Sequence, residues 1–259
     1  MPVDLPALVA DLEAETADLL ALVEPLAPDA WERDTPAEGW RIRDQIGHLA
    51  FFDDAVVSAL VDQDGFRTAA AEVMGRGPDF PDQVAADVRH LPAEEVLTWF
   101  IGARRAVVDA FGPADPGARL PWYGPDMSAA SSVTARLMET WAHGQDVADA
   151  LGAERAPTGR LRHIAHLGVA TRGHSYRLRR REAPDAAVRV ELDAPDGEVW
   201  AWGDPGAPER VTGPAVDLCL VVTQRRHLDA TALVATDGAR DWLVIAQAFA
   251  GAPGPGRTP

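Results

Sequence analysis

Apolar residues recur every three or four positions along most of the first 155 residues, which is the spacing of an amphipathic helix. In the first such stretch, Leu8, Leu12 and Leu19 share one face and acidic residues fill the positions between them. The pattern predicts helices over residues 3–25, 42–62, 93–111 and 127–151. Four helices of this length, joined by short or moderate links, favour a helical bundle.

The segments between these helices are less regular. Residues 64–92 contain several glycines and prolines and support no single assignment, and residues 112–126 read as a Pro/Gly-rich loop. Gly152 follows the fourth helix, where a glycine commonly ends a helix.

The periodicity changes in the last hundred residues. A fifth helix is predicted over 159–178, after which Val188, Val190 and Leu192 alternate with charged residues, as in a strand. A Pro-Asp-Gly turn at 195–197 and an apolar run at 199–202 complete a β-hairpin. Further helices are predicted over 213–226 and 238–250, with a strand between 230 and 236. We therefore predict an α+β protein with a helical bundle at 1–155 and a small α+β domain at 156–259.

Charge and composition exclude several classes of protein. The net charge of −16 opposes a nucleic-acid partner, because duplex binding needs a basic face. No run of 18 apolar residues is present, so no membrane span is expected. The single cysteine, Cys219, excludes an intrachain disulfide and reads as a small core residue. We expect a cytoplasmic protein that is a monomer or a homodimer.

A carboxylate and two imidazoles form the strongest candidate for chemistry. Glu139 and His143 are four residues apart and therefore lie one above the other on a helix, while His48 belongs to the second helix. Two nitrogens and one oxygen suit Zn²⁺, and three protein ligands leave one position open. Glu139 and His143 point about 200° away from the apolar stripe around Trp141. They either face water or line a polar cavity beneath a second cover. Asp146, one turn beyond His143, is either an acceptor that orients a ligand or a surface acid.

Two segments resemble a known family. The sequences GWRIRDQIGHLA at 39–50 and RLMETWAHGQD at 136–146 resemble motifs of the DinB-like superfamily. Their form is similar to the actinobacterial branch that includes the mycothiol-dependent maleylpyruvate isomerases, and the likeness covers residues 5–152. It implies that His48, Glu139 and His143 bind a divalent metal, usually zinc, with nickel and cobalt left open. It further implies that the thiol of mycothiol approaches the open position.

The C-terminal part carries a looser resemblance. Residues 211–225 are similar to the sterol-carrier-like domain found in that branch, whose pattern tends to end in Gly-Arg. Here the corresponding residues are Gln224, Arg225 and Arg226. The resemblance makes Arg225 the candidate catalytic arginine, and Arg226 is the alternative.

Three functions follow from these observations. The first is a metal- and mycothiol-dependent enzyme, a thiol S-transferase or a maleylpyruvate isomerase-like protein that acts on a small electrophile. The second is a non-catalytic module that binds a metal or a small molecule. The third is a metal-dependent hydrolase, although Glu139 as a ligand would then be unavailable as a general base.

Overall fold

The chain divides between Arg155 and Ala156 into two units. The computed structural model describes residues 4–254 and 256–258. Helices predominate in the N-terminal unit, and the C-terminal unit combines helices with a four-stranded sheet. The mixed α+β content predicted from the sequence is confirmed.

The N-terminal unit contains six α-helices, two short 3-10 helices and one two-stranded sheet among its described residues. In chain order these are α1 (Leu5–Val23), a 3-10 helix (Pro28–Glu32), α2 (Ile42–Val61), α3 (Gln63–Met74), α4 (Phe80–Asp87), a 3-10 helix (Val88–His90), α5 (Ala93–Phe111), β1 (Arg119–Leu120), β2 (Met127–Ser128) and α6 (Ala129–Leu151). The helices predicted over 42–62 and 93–111 are confirmed almost residue for residue.

Short polar residues and a glycine fix the ends of the long helices. The Asp4 side chain accepts a hydrogen bond from the Ala7 amide at 3.1 Å and caps α1. Ser128 caps α6 through the Ser131 amide at 3.0 Å. Gly152 ends α6 with a φ of 66°, a left-handed conformation that glycine adopts without a steric penalty. The predicted end of this helix at Gly152 is confirmed.

Four long helices contribute to one hydrophobic core. The apolar stripes of α1, α2, α5 and α6 meet there, and the buried residues are Leu19, Val23, Ile42, Ile46, Leu49, Val96, Phe100 and Val147. Between α2 and α5, residues 64–92 form α3, α4 and a 3-10 turn, so this segment is largely helical. The prediction of a plain loop over 112–126 is incomplete, because its residues 119 and 120 form β1, which pairs with β2 just beyond the segment.

The C-terminal unit is built on one sheet. Its elements are α7 (Leu161–Ala170), α8 (Arg172–Leu178), β3 (Val188–Asp193), β4 (Val199–Trp202), β5 (Glu209–Pro214), α9 (Ala215–Val222), a 3-10 helix (Leu228–Ala230), β6 (Val234–Ala235) and α10 (Asp237–Leu243). The strand order is β4-β3-β5-β6, with β5 parallel to β3 and the other pairs antiparallel.

The predicted hairpin is confirmed, but three other predictions for this unit need correction. The helix expected over 159–178 is broken at Thr171, whose hydroxyl donates to the Leu167 carbonyl at 2.8 Å. The helix expected from residue 213 begins at Ala215, because the preceding residues form β5. The last helix stops at Leu243 instead of 250. Among the described residues, no helix is long and apolar enough to span a bilayer.

Candidate metal centre

Three side chains from two helices converge in the N-terminal unit. α2 supplies His48, and α6 supplies Glu139 and His143 one turn apart. One potential ligand atom from each lies within 4.8 Å of the other two. His143 Nε2 is 3.1 Å from Glu139 Oε2. Both histidines are buried, and the Glu139 side chain is 21% exposed. This arrangement brings together a donor set that divalent cations such as zinc use.

A chain of hydrogen bonds determines which nitrogen of His143 carries a proton. The Thr35 hydroxyl donates to the Trp40 carbonyl at 2.8 Å, so its oxygen accepts from Gln45 Nε2, also at 2.8 Å. Gln45 must then present its carbonyl oxygen to His143 Nδ1, which lies within hydrogen-bond distance of it. His143 therefore carries its proton on Nδ1 when the ring is neutral.

The lone pair of His143 Nε2 consequently faces a carboxylate oxygen. Two acceptors at 3.1 Å repel each other unless a cation lies between them. That cation is either a second proton on the imidazole or a metal ion. The geometry thus fits a resident metal, and Gln45 is the partner that orients the ring, as acceptors behind metal-binding histidines commonly do.

Glu139 is held in its ionised form. Burial alone would raise its pKa, but with a second proton on His143 Nε2 the hydrogen bond and positive charge of that ring, with a smaller contribution from Arg136, lower the pKa to about 2. Because Arg136 lies one turn before Glu139 on the same helix, its positive charge acts on the carboxylate without forming an ion pair with it.

A buried network of ion pairs lies in the same helical unit as the three candidate metal ligands. Asp53 is fully buried and accepts from two guanidinium groups, those of Arg104 at 2.8 Å and Arg136 at 3.0 Å. Arg104 also donates to the hydroxyl groups of Thr16 and Thr140. Burial lowers the pKa of Arg104, and Asp53 opposes that shift. One carboxylate therefore serves two arginines, and Glu15 and Glu139 are further acids whose charges interact with Arg104 and Arg136, respectively.

Aromatic rings form one side of the site. Trp40 stacks on His143 with centroids 5.7 Å apart, and Phe52 lies 4.6 Å from His48. Four further rings continue this aromatic wall: Phe66, Phe80, Trp122 and Tyr123. Burial raises the pKa of Tyr123 to about 12. The ligands thus lie against an apolar surface that favours planar or apolar groups.

The other predicted site residues have different environments. Asp146 is fully buried, so the interpretation of it as a surface acid is wrong. Arg225 belongs to the C-terminal unit, where its Nη1 donates to the Thr223 carbonyl at 2.7 Å. A catalytic role for Arg225 stays a prediction. Cys219 is buried in α9, and burial raises the pKa of its thiol, which agrees with a core role.

The sequence interpretation missed four residues that shape the site. The sequence pattern gives Trp40 no role in the site, whereas its ring stacks on His143. Gln45, Asp53 and Arg136 received no role. A signal was available for two of them, because Gln45 precedes His48 and Arg136 precedes Glu139 by three positions, which places each on its ligand's helix face.

Comparison with known proteins shows the family of the chain. A family model described as the mycothiol maleylpyruvate isomerase N-terminal domain matches residues 12–148. The uncharacterized proteins MT0041 and Rv0036c of two Mycobacterium tuberculosis strains are each 47% identical over 251 residues, which are 96% of this chain and 97% of theirs.

Two crystal structures share the fold. Both are of mycothiol-dependent maleylpyruvate isomerase, one of them a mutant, with TM-scores of 0.60 and 0.61. The sequence identities are 13% and 14%, and each alignment covers 91% of this chain and 94% of the other. At that identity the likeness establishes a common fold alone.

Proposed function

The chain belongs to the mycothiol maleylpyruvate isomerase N-terminal domain family, and from this premise we propose that it is a metal-dependent enzyme that uses mycothiol to transform a small electrophile. One observation carries the proposal. His48, Glu139 and His143 converge, and the lone pair of His143 Nε2 points at a carboxylate oxygen of Glu139. These three side chains form a ligand set that suits a cation.

Each residue has a defined task in this proposal. His48, Glu139 and His143 would hold the cation, and Gln45 keeps His143 in the tautomer that can bind it. A bound divalent cation, zinc in our proposal, would supply the Lewis acidity that makes a thiol a nucleophile at neutral pH. Trp40 stacks on His143 and would limit the access of water to that side of the ring. Asp146 and Arg225 are proposed to support a ligand and to orient the substrate, respectively.

Two reactions suit this arrangement. In an isomerisation, the thiol sulfur adds to a conjugated double bond, the resulting single bond rotates, and loss of the same thiol restores the double bond. In an S-transfer, the sulfur stays on the substrate carbon and the displaced group leaves. Both reactions need an external thiol, which agrees with the burial of Cys219, the chain's one cysteine. A reducing cytoplasm would keep that thiol available.

Metal analysis tests the ligand assignment. We expect close to one divalent ion per chain in the wild type and little in His143→Ala, because two ligands cannot retain the ion as three do. His90→Ala is the matched control, since His90 is an exposed histidine of the same unit. Equal metal contents in wild type and His143→Ala would show that the ion is held elsewhere.

A mixing assay tests the use of a thiol. Purified metal-loaded protein is incubated with mycothiol and a panel of conjugated or halogenated electrophiles, and products are identified by mass spectrometry and by isomer-resolving chromatography. We expect a metal-dependent adduct or isomer with at least one substrate. A protein that holds stoichiometric metal and yields no product with any pair would instead support the non-catalytic alternative.

A further inference from the structure

Arg136 is anchored through only one of its three nitrogens. Its Nε donates to Asp53 at 3.0 Å, and Asp53 already accepts two hydrogen bonds from Arg104. The Arg136 side chain is 4% exposed. Its Nη2 is buried and donates no hydrogen bond to a described residue, and the described part of the chain offers no acceptor to Nη1 either. Buried donors without acceptors are rare in folded proteins and call for an explanation.

The surroundings of these unused donors indicate a ligand. Arg136 lies one turn before Glu139, and its guanidinium carbon is 6.0 Å from the centre of the Phe52 ring. Its charge also acts on Tyr123, whose half-buried hydroxyl bonds no described residue. Arg136 and Tyr123 both lie against the ring of Phe52, since the Tyr123 ring is 5.5 Å from it, and Arg136 is one helical turn from Glu139.

The charge of the site favours an anion there. Asp53 and Glu139 balance Arg104 and Arg136, so these four side chains together are neutral. A bound divalent cation would add positive charge near the guanidinium of Arg136. A thiolate and a substrate carboxylate would each offset part of that charge. Arginine suits this task because its planar donors match the two oxygens of a carboxylate.

We infer that Arg136 holds a carboxylate group of the substrate beside the metal ligands, with Tyr123 as a second donor. This inference rests on the proposed function and assigns a positioning residue to it. The reacting carbon would then lie between the sulfur and a fixed anionic end of the substrate, along the ring of Phe52.

Binding of two matched thiols tests the inference without measuring turnover. The protein is loaded with Co²⁺, and the thiolate-to-cobalt charge-transfer band is titrated with 3-mercaptopropionate or with 3-mercaptopropionamide, which has the same length and no charge. We expect the wild type to prefer the carboxylate by about tenfold or more, since hydrogen bonds to charged groups are the strong ones. Arg136→Gln should lose most of this preference, and Arg136→Lys should keep part of it.

Controls separate this role from general effects. Arg105→Gln removes an exposed arginine next to Arg104 in sequence and should behave as the wild type does. Thermal unfolding shows whether each variant is folded. Equal binding of the two thiols by the wild type would overturn the inference even if Arg136→Gln failed to fold. A preference that persists in a folded Arg136→Gln would also overturn it, because the carboxylate would then be bound by the metal.

The failure of the proposed function has a different signature. If neither thiol produces the cobalt band, the thiol chemistry is wrong, and the role of Arg136 is judged with benzoate and benzamide by calorimetry. Benzoate bound by the wild type and released by Arg136→Gln would support the anion site. Equal affinity for the two compounds would reject it.

Discussion

Replacement of Gln45 by leucine removes the acceptor behind His143, a proposed metal ligand, and the hydrogen bond to Thr35. Gln45 is fully buried, its carbonyl oxygen accepts from His143 Nδ1, and its amide donates to Thr35 at 2.8 Å. Leucine has a similar volume and no polar atom. In Gln45→Leu the imidazole of His143 would lose the hydrogen bond to Gln45 that fixes its tautomer and its orientation.

The expected loss of metal affinity can be estimated in two ways. Removal of the partner of a metal-binding histidine weakens metal binding by roughly 10- to 100-fold, which corresponds to about 1.4–2.7 kcal/mol. The second estimate comes from the stranded Nδ1–H group of His143, because a buried donor without an acceptor costs about 1–3 kcal/mol. The two ranges overlap, so we expect a change of at least tenfold.

Competition with a coloured chelator measures this affinity directly. Thr35→Val is the matched control, because it removes the other hydrogen bond of Gln45 and leaves the carbonyl oxygen in place. We expect a smaller loss in this variant than in Gln45→Leu. A folded Gln45→Leu protein that binds metal as tightly as the wild type would refute the assignment of Gln45 as the residue that orients His143.

Two further predictions concern the interior of the helical unit. Asp53→Asn should lower the free energy of unfolding by about 3–5 kcal/mol, because it leaves two buried guanidinium groups without their carboxylate. Asp54→Asn, its exposed neighbour, should lower it far less in the same urea titration, and equal losses would argue against the buried network. The second prediction uses the near-ultraviolet absorbance of the Tyr176→Phe variant, in which Tyr123 is the remaining tyrosine. Its phenol should stay neutral near pH 10 and ionise at about pH 12. The raised pKa means that the neutral phenol stabilises the fold below pH 10 and that this contribution is lost between pH 10 and 12. A phenolate formed at pH 10 in the folded variant would contradict this.

Local periodicity was enough to predict the long helices. The apolar positions of α2 and α5 repeat over five turns, and the residues at their ends stop the pattern, so the predicted ranges of 42–62 and 93–111 need almost no change. Shorter elements were harder to predict. α3 carries only Phe66 and Ala70 as buried residues, which is too few for a periodic signal.

The strand β5 shows where periodicity fails. It pairs in parallel with β3, and Val211 lies opposite Val190, so its place depends on a partner about twenty residues away. Its sequence ends in Gly213 and Pro214 and runs directly into the apolar helix α9. A prediction from local periodicity therefore assigns the last two residues of the strand to the helix.

The same distinction applies to the candidate site. The spacing of Glu139 and His143 predicts that both side chains share a helix face, and the structure places them 3.1 Å apart. The convergence of His48 depends on how α2 packs against α6, which spacing cannot supply, and it was expected only through the family resemblance. Asp53 acts through the same packing, so no local pattern indicates its role, and the spacing of Gln45 from His48 indicates a shared helix face without naming His143 as its partner.

Gly47 gives the sequence motif around His48 a physical reason. A Cβ at this position would lie 2.6 Å from a methyl group of Val88, a buried residue in the turn after α4. The missing side chain lets that turn pack against α2, one residue from the ligand. α4 thereby brings Asp82 to the Trp40 indole, which donates to it at 2.8 Å, and Trp40 covers His143. We therefore expect a larger residue at position 47 to displace the turn after α4 and to weaken the support of the Trp40 ring, which stacks on the proposed ligand His143.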